Sequence, residues 1–205
     1  MRRINGDFFA RPIHDVARDL LGRHLVRPLD GQLRRAQIVE VEVYKGPKDR
    51  ASHASSGRPT ARTQPMFGPP ATIYVYQIYG RYQCFNLRAA DGPGPGAILV
   101  RGAHPLEGEP AMAVDRGLIA SVHDYDESLR PQLMSGPAKL CQALQIDTDL
   151  SGQPLGDHLW IDAGDPVERA SIVATPRVGL NPKTCGASVA YPWRYLVDVA
   201  PSVRS

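Results

Sequence analysis

Cysteine is scarce: Cys84, Cys141 and Cys185 lie far apart with no CxxC spacing, so neither a zinc site nor a disulfide framework is indicated and reduced thiols are expected. No stretch approaches about 18 consecutive apolar residues, and the opening MRRINGDFFARP carries charge but no apolar run. A membrane span and a targeting signal are therefore not expected, and the protein is expected in the cytoplasm. There is no GxGxxG after a strand, no GxxxxGK(S/T), no HExxH and no GxSxG. Nucleotide cofactors and metals lose most of their case, and none is expected. The six histidines are scattered rather than spaced as ligands, and internal repeats and low-complexity blocks are missing.

Glycine and proline, at 19 each in 205 residues, point to a loop-rich, β-containing fold rather than a helical bundle. One domain over 1–205 accommodates that length with a sizeable core. The net charge of +3 is unevenly placed: between Lys45 and Arg101 stand Lys45, Lys48, Arg50, Arg58, Arg62, Arg81, Arg88 and Arg101 against only Asp49 and Asp91. The rest of the chain is thus net acidic. A basic segment that also holds clustered tyrosines is the electrostatic footprint of a nucleic-acid face; chance clustering of solvated side chains is the plainer alternative.

Apolar residues at Ile13, Val16, Ala17, Leu20 and Leu21 follow helical spacing, with Gly22 placed to end the helix. An Asp30-Gly31 turn joins strand-like runs at 24–27 and 33–44. In the second run Val39, Val41 and Val43 alternate with Glu40, Glu42 and Tyr44, so period two buries the valines and sets two carboxylates and a phenol on the other face. Residues 46–71 read as a long loop. A strand is expected over 97–102 with Arg101 at its end, a helix over 106–119, and short strands at 159–161, 171–173 and 195–199. Ser135-Gly136-Pro137 starts a helix whose first turn contains Lys139, where free amides favour an anion.

Four of the eight tyrosines fall in 71–87, ATIYVYQIYGRYQCFNL, which reads as one β-hairpin. A three-residue loop of Ile78, Tyr79 and Gly80 places Tyr76 opposite Tyr82 and Tyr74 opposite Cys84, with Tyr74, Tyr76, Tyr82, Cys84 and Asn86 on one face. A two-residue loop would move Asn86 to the other face. Tyr79 at the tip is either folded back on a neighbouring loop or a wedge aimed at a partner. The chemistry available is Glu42 beside Tyr44, then His53 in the basic loop. Partial burial would let that carboxylate act as a base, and Arg101 could orient it or the water it holds.

The runs EVEVY (40–44), KGPKDRASH (45–53), IYVYQIYGRYQCFN (73–86), ILVRGAHPLEG (98–108), SGPAKLCQAL (135–144) and RVG (177–179) resemble the alkyladenine, or 3-methyladenine, DNA glycosylase family of the mammalian type, in its bacterial form. The resemblance spans about Phe8 to Val203. It implies an α+β fold: a curved, mainly antiparallel sheet with a protruding hairpin and surrounding helices. It implies a monofunctional DNA glycosylase of base excision repair that flips alkylated or deaminated purines from double-stranded DNA and hydrolyses the N-glycosidic bond, as a monomer without cofactor or metal.

By position, Glu42 matches the family's general base and Arg101 the arginine that holds the attacking water. Tyr44, His53 and Tyr76 match groups that contact the flipped base, Asn86 the residue that obstructs guanine's exocyclic amine, and Tyr79 the intercalating tyrosine. Arg58, Arg81 and Lys139 are the candidates for the DNA backbone. The lead-in Gly68-Pro-Pro-Ala71, the loop Gly92-Pro-Gly-Pro-Gly96 and Arg81 after the apex glycine depart from the family pattern, which bears on which damaged bases fit. Two other readings compete: a non-catalytic damaged-DNA-binding module using the basic loop and hairpin, and a small-molecule glycoside or nucleoside hydrolase using Glu40 and Glu42 as a pair.

Overall fold

A computed structural model describes residues 2–90 and 92–197. Its frame is an eight-stranded sheet in which every described pairing is antiparallel. The strands are β1 (His24–Leu29), β2 (Gln32–Lys45), β3 (Ile73–Ile78), β4 (Tyr82–Arg88), β5 (Gly96–Glu107), β6 (Trp160–Asp162), β7 (Val173–Thr175) and β8 (Arg194–Leu196). They run in the order β3-β4-β5-β2-β1-β6. The other edge of β2 is shared in succession: β1 pairs with 32–37 and β8 with Glu40–Glu42. With the helices this is the α+β architecture that the resemblance implied.

Helices cover one side. In α2 (Ile13–Leu20, numbered after the short α1, Gly6–Phe9), Ile13, Val16, Ala17 and Leu20 are all buried, each contributing about 1 to 3 kcal/mol of transfer free energy at most. Gly22 ends it in the left-handed region (φ 83°), where a Cβ would strike the Asp165 carbonyl oxygen. The helix Pro137–Ala143 buries Leu140 and Cys141 beneath β4 and β5. Between these helices lies α3 (Glu109–Asp115), shorter than the expected 106–119 because β5 continues to Glu107.

Three other expectations are corrected. Arg101 lies in the middle of β5, not at its end, because pairing with β2 resumes beyond it. In the 171–173 segment only Val173 is in a strand; Arg169–Ser171 form a 3-10 turn. For 195–199 the strand is Arg194–Leu196, and residues 198 and 199 lie outside the described residues.

The hairpin register also differs. Ile78 pairs with Tyr82, Tyr76 with Cys84 and Tyr74 with Asn86, so the loop is Tyr79, Gly80 and Arg81 rather than Ile78 to Gly80. Tyr79 and Gly80 both take positive φ (51° and 69°), and Arg81 N–H donates to the Ile78 carbonyl at 3.2 Å. Those are the signs of a type I′ turn, whose twist suits a hairpin. The error is two residues, an even number, so the faces are unchanged. β4 pairs with β5 only at Asn86–Arg88, leaving the outer half of the hairpin clear of the sheet.

Candidate active site

Four neighbouring strands contribute one face. Pairings of Tyr74 with Asn86, Tyr76 with Cys84, Asn86 with Leu99, and Leu99 with Glu42 put these residues and Tyr44 on the same side of β3, β4, β5 and β2. All but Glu42, which lies behind the lining residues Tyr44, Arg101 and Val178, line a cavity of ≈ 500 Å³, closed by His53 and Met66 from the long loop and by Val178–Leu180. Tyr44, Tyr76, Asn86, His53 and Arg101, named from the sequence, all line it, as does Tyr79.

Glu42 is fully buried, which the alternation of β2 alone did not require. Its Oε1 accepts the Val178 backbone N–H at 2.7 Å; Oε2 accepts the Tyr44 hydroxyl at 2.7 Å and lies 3.5 Å from an Arg101 guanidinium nitrogen. A carboxylate has about four acceptor sites. Three are directed at protein donors, leaving room for one more. Burial, then the Glu42 charge, pushes the Tyr44 hydroxyl far above its ordinary range, so it stays protonated and acts as a donor.

Arg101 reaches two carboxylates because of a bulge. β5 pairs Gly102 with Glu40 and Val100 with Val41, so Arg101 is an extra residue opposite two consecutive positions of β2. Its Nε donates to Glu40 Oε1 at 2.9 Å, which Arg194 also reaches at 3.2 Å. Glu40 and Glu42 thus share one arginine on one side. A nucleoside hydrolase would need its two carboxylates on opposite sides of a scissile bond.

The long loop is built around Asp49, which is 0 % exposed. Asp49 accepts N–H groups from Lys45 and Ala51 and pairs through both oxygens with Arg177 at 2.7 and 2.8 Å. Arg177 also donates to the carbonyls of Val43 and Ser188, and its guanidinium lies 4.6 Å from the centre of the Tyr44 ring. The residue after Arg177 supplies the amide on Glu42. None of Asp49, Arg177 or Val178 is assigned a role from sequence; the only signals are the KGPKDRASH run, which holds Asp49, and the RVG run.

His53 stands edge-on to Tyr76, 4.6 Å between ring centres. Partial desolvation of the ring by its packing against Tyr74 and Tyr76, with the Arg62 cation beside it, lowers its pKa below the ordinary value and favours the neutral ring. Arg62 can only donate and lies 3.2 Å from Nε2, so the proton is on Nδ1, 2.8 Å from the Tyr74 oxygen. Arg62 was counted in the basic segment but not placed in the site. Its guanidinium lies 5.3 Å from the centre of the Tyr76 ring.

Asn86 is buried, and its amide nitrogen donates to the carbonyls of Tyr74 and Cys84, both at 3.1 Å. It cannot swing aside without losing both bonds. Tyr79 is 88 % exposed at the tip. Of the expected backbone contacts, Arg58 and Arg81 are exposed, with Arg81 over the Tyr82 ring at 4.5 Å; Lys139 bonds Ser135 near Pro137, which lines the cavity. Arg88 of the basic segment is buried and bonds the carbonyls of Gly92 and Gly94, so that cation is turned away from the surface.

The methylpurine-DNA glycosylase model matches residues 7–201. A Desulfitobacterium hafniense relative named for 3-methyladenine DNA glycosylase is 39 % identical over 199 residues, covering 97 % of this chain and 96 % of that protein. A Methanocella arvoryzae relative of the same name is 40 % identical over 199 residues, 96 % and 93 % of the two chains. The mouse DNA-3-methyladenine glycosylase is 40 % identical over 208 residues, covering 98 % of this chain and 61 % of the mouse protein. With nearly its whole length matched, the chain belongs to the methylpurine-DNA glycosylase family.

Proposed function

We propose that Glu42 removes a proton from a water directed at C1′ of a damaged purine nucleotide flipped out of duplex DNA. Family membership makes the chain a DNA-3-methyladenine glycosylase, a hydrolase of N-glycosidic bonds in DNA. The observation that carries the finer reading is a fully buried carboxylate, held by three donors, at an aromatic cavity large enough for a purine nucleotide.

The water oxygen bonds C1′, its proton passes to Glu42, and the C1′–N bond breaks with its electron pair going to the base. A base methylated at N3 or N7 is cationic while attached and departs neutral. Glu42 also stabilises the cationic sugar that develops as the bond breaks. Arg101, bonded to Glu40 and close to Glu42, holds the water. Among the described residues no lysine lines the cavity, which supports hydrolysis rather than a covalent imine and strand cleavage. Flipping costs a few kcal/mol, less for a damaged or mispaired base. Stacking of a cationic base between Tyr44 and Tyr76 adds about 0.5 to 2 kcal/mol. The class of bases is alkylated and deaminated purines: 3-methyladenine, 7-methylguanine, hypoxanthine and ethenoadenine. The protein acts as a monomer, with Arg58, Arg81 and Lys139 toward phosphates.

Incubation with methylated duplex DNA and with a hypoxanthine oligonucleotide tests this directly. Free base and abasic sites are expected; tight binding without release would instead support a non-catalytic module. Tyr79→Ser should weaken capture of the flipped state about tenfold, since one stacked base is worth about 1 to 3 kcal/mol. Its melting temperature should not fall, because the side chain is exposed. An unfolded variant would mean that Tyr79 packs on its own protein. Asn86→Ser should raise excision of guanine-type bases about tenfold. Unchanged guanine discrimination in competition assays would remove Asn86 as the gate.

A further inference from the structure

Two of the tyrosines that line the cavity, Tyr44 and Tyr76, each have an arginine against the ring, and neither arginine lines the cavity. A base stacked on the cavity side of either ring would therefore not touch the cation against it. The charge states of the two arginines differ. Arg177 is paired through two bonds with Asp49, and both side chains are fully buried. Among the described residues, Arg62 makes no ion pair; its partners are neutral groups, the His53 ring, the Tyr74 hydroxyl and the Tyr76 face.

We infer that the charge behind these two walls sets the preference between cationic and neutral damaged bases, with Asp49 the residue that keeps the Tyr44 wall open to cations. The inference rests on the base-stacking role proposed for Tyr44 and Tyr76. Cation-π attraction arises from electron density on the ring face, and a bare cation on the opposite face opposes it. A base stacked about 3.5 Å from Tyr44 sits about 8 Å from the Arg177 guanidinium. Without Asp49, two unit positive charges at that separation repel by enough to change binding about tenfold or more, taking an effective dielectric constant of about 20. Arginine cannot relieve the repulsion by losing its proton. A neutral base does not feel it to first order. The 0 % exposure of the pair keeps solvent from screening the effect, whereas the exposed Arg62 is screened.

Two activities separate charge from structure: 3-methyladenine release from methylated duplex DNA under saturating enzyme in single turnover, and affinity for a duplex carrying one neutral ethenoadenine. In Asp49→Asn, release of the cationic base should fall about tenfold while ethenoadenine affinity changes less than threefold. Adding Arg177→Gln removes the bare cation and should recover most of that release. Arg62→Gln should raise 3-methyladenine release severalfold at low salt, with the gain fading at 0.5 M salt as about 4 Å of Debye screening sets in. Parallel loss on both probes in Asp49→Asn, or no recovery in the double variant, would overturn the inference and leave Asp49 a purely structural residue. Where Asp49→Asn does not fold, Arg62→Gln decides, and unchanged release at low salt overturns it. Wild-type protein that releases no 3-methyladenine would instead remove the underlying base-stacking reading, a result separable from either.

Discussion

Glu42→Gln should lower 3-methyladenine release by about three orders of magnitude while DNA binding persists, the scale expected when a positioned base is removed. Glutamine preserves the volume at a fully buried position and can still accept the Val178 amide through its carbonyl. Its NH2 then faces Tyr44 and Arg101, where a second acceptor oxygen stood. The hydroxyl of Tyr44 can rotate to accept; the guanidinium of Arg101 cannot, so some stability is lost with activity. Single-turnover release and fluorescence anisotropy on the same duplex separate the two effects. Undiminished release would remove Glu42 as the base, and loss of binding in step with release would assign it to recognition.

Arg177→Gln should be the most destabilising of the single substitutions considered. It leaves the Asp49 carboxylate buried without its cation, and breaking such a pair from one side costs about 3 to 5 kcal/mol. For a chain of this length that corresponds to a fall of about 10 °C in melting temperature. Lysine should recover only part of it, since one ammonium cannot bond both Asp49 oxygens, reach the carbonyls of Val43 and Ser188, and lie flat on Tyr44. Asp49→Asn with Arg177→Gln should melt closer to wild type than Arg177→Gln alone, because the unpaired charge is gone. A fall of less than about 3 °C in the single variant would show that water reaches Asp49 and that the pair is not the clamp described.

What was readable in advance follows from the range of the interactions. Period two in EVEVY and in the hairpin placed Glu42 with Tyr44, and Tyr74, Tyr76 and Asn86, on common faces because side-chain alternation is a local property. The hairpin loop was misplaced by one residue and its register therefore by two, since the choice between Ile78 and Arg81 as the third loop residue lies in backbone angles and not in residue type. The burial of Glu42 and the importance of Asp49 were hidden for a different reason. Their partners, Val178 and Arg177, come from more than a hundred residues away. In the sequence Asp49 is merely an acidic residue diluting a basic segment. The bulge at Arg101 was equally silent, because it is a mismatch between two strands and not a property of either.

Tyr79 holds a φ of 51° at a position where glycine would sit without strain, and its ring is almost wholly in solvent. For the protein alone that residue is a poor choice on both counts, disfavoured in its backbone by about 1 kcal/mol and unable to offset this by packing. Selection for stability alone would replace it: Tyr79→Gly should melt higher than wild type. If Tyr79 is the wedge proposed above, the tip of the hairpin is a place where the free molecule and the molecule at work want different residues, and a stabilising consensus design that ignored the difference would improve the fold at the expense of DNA capture.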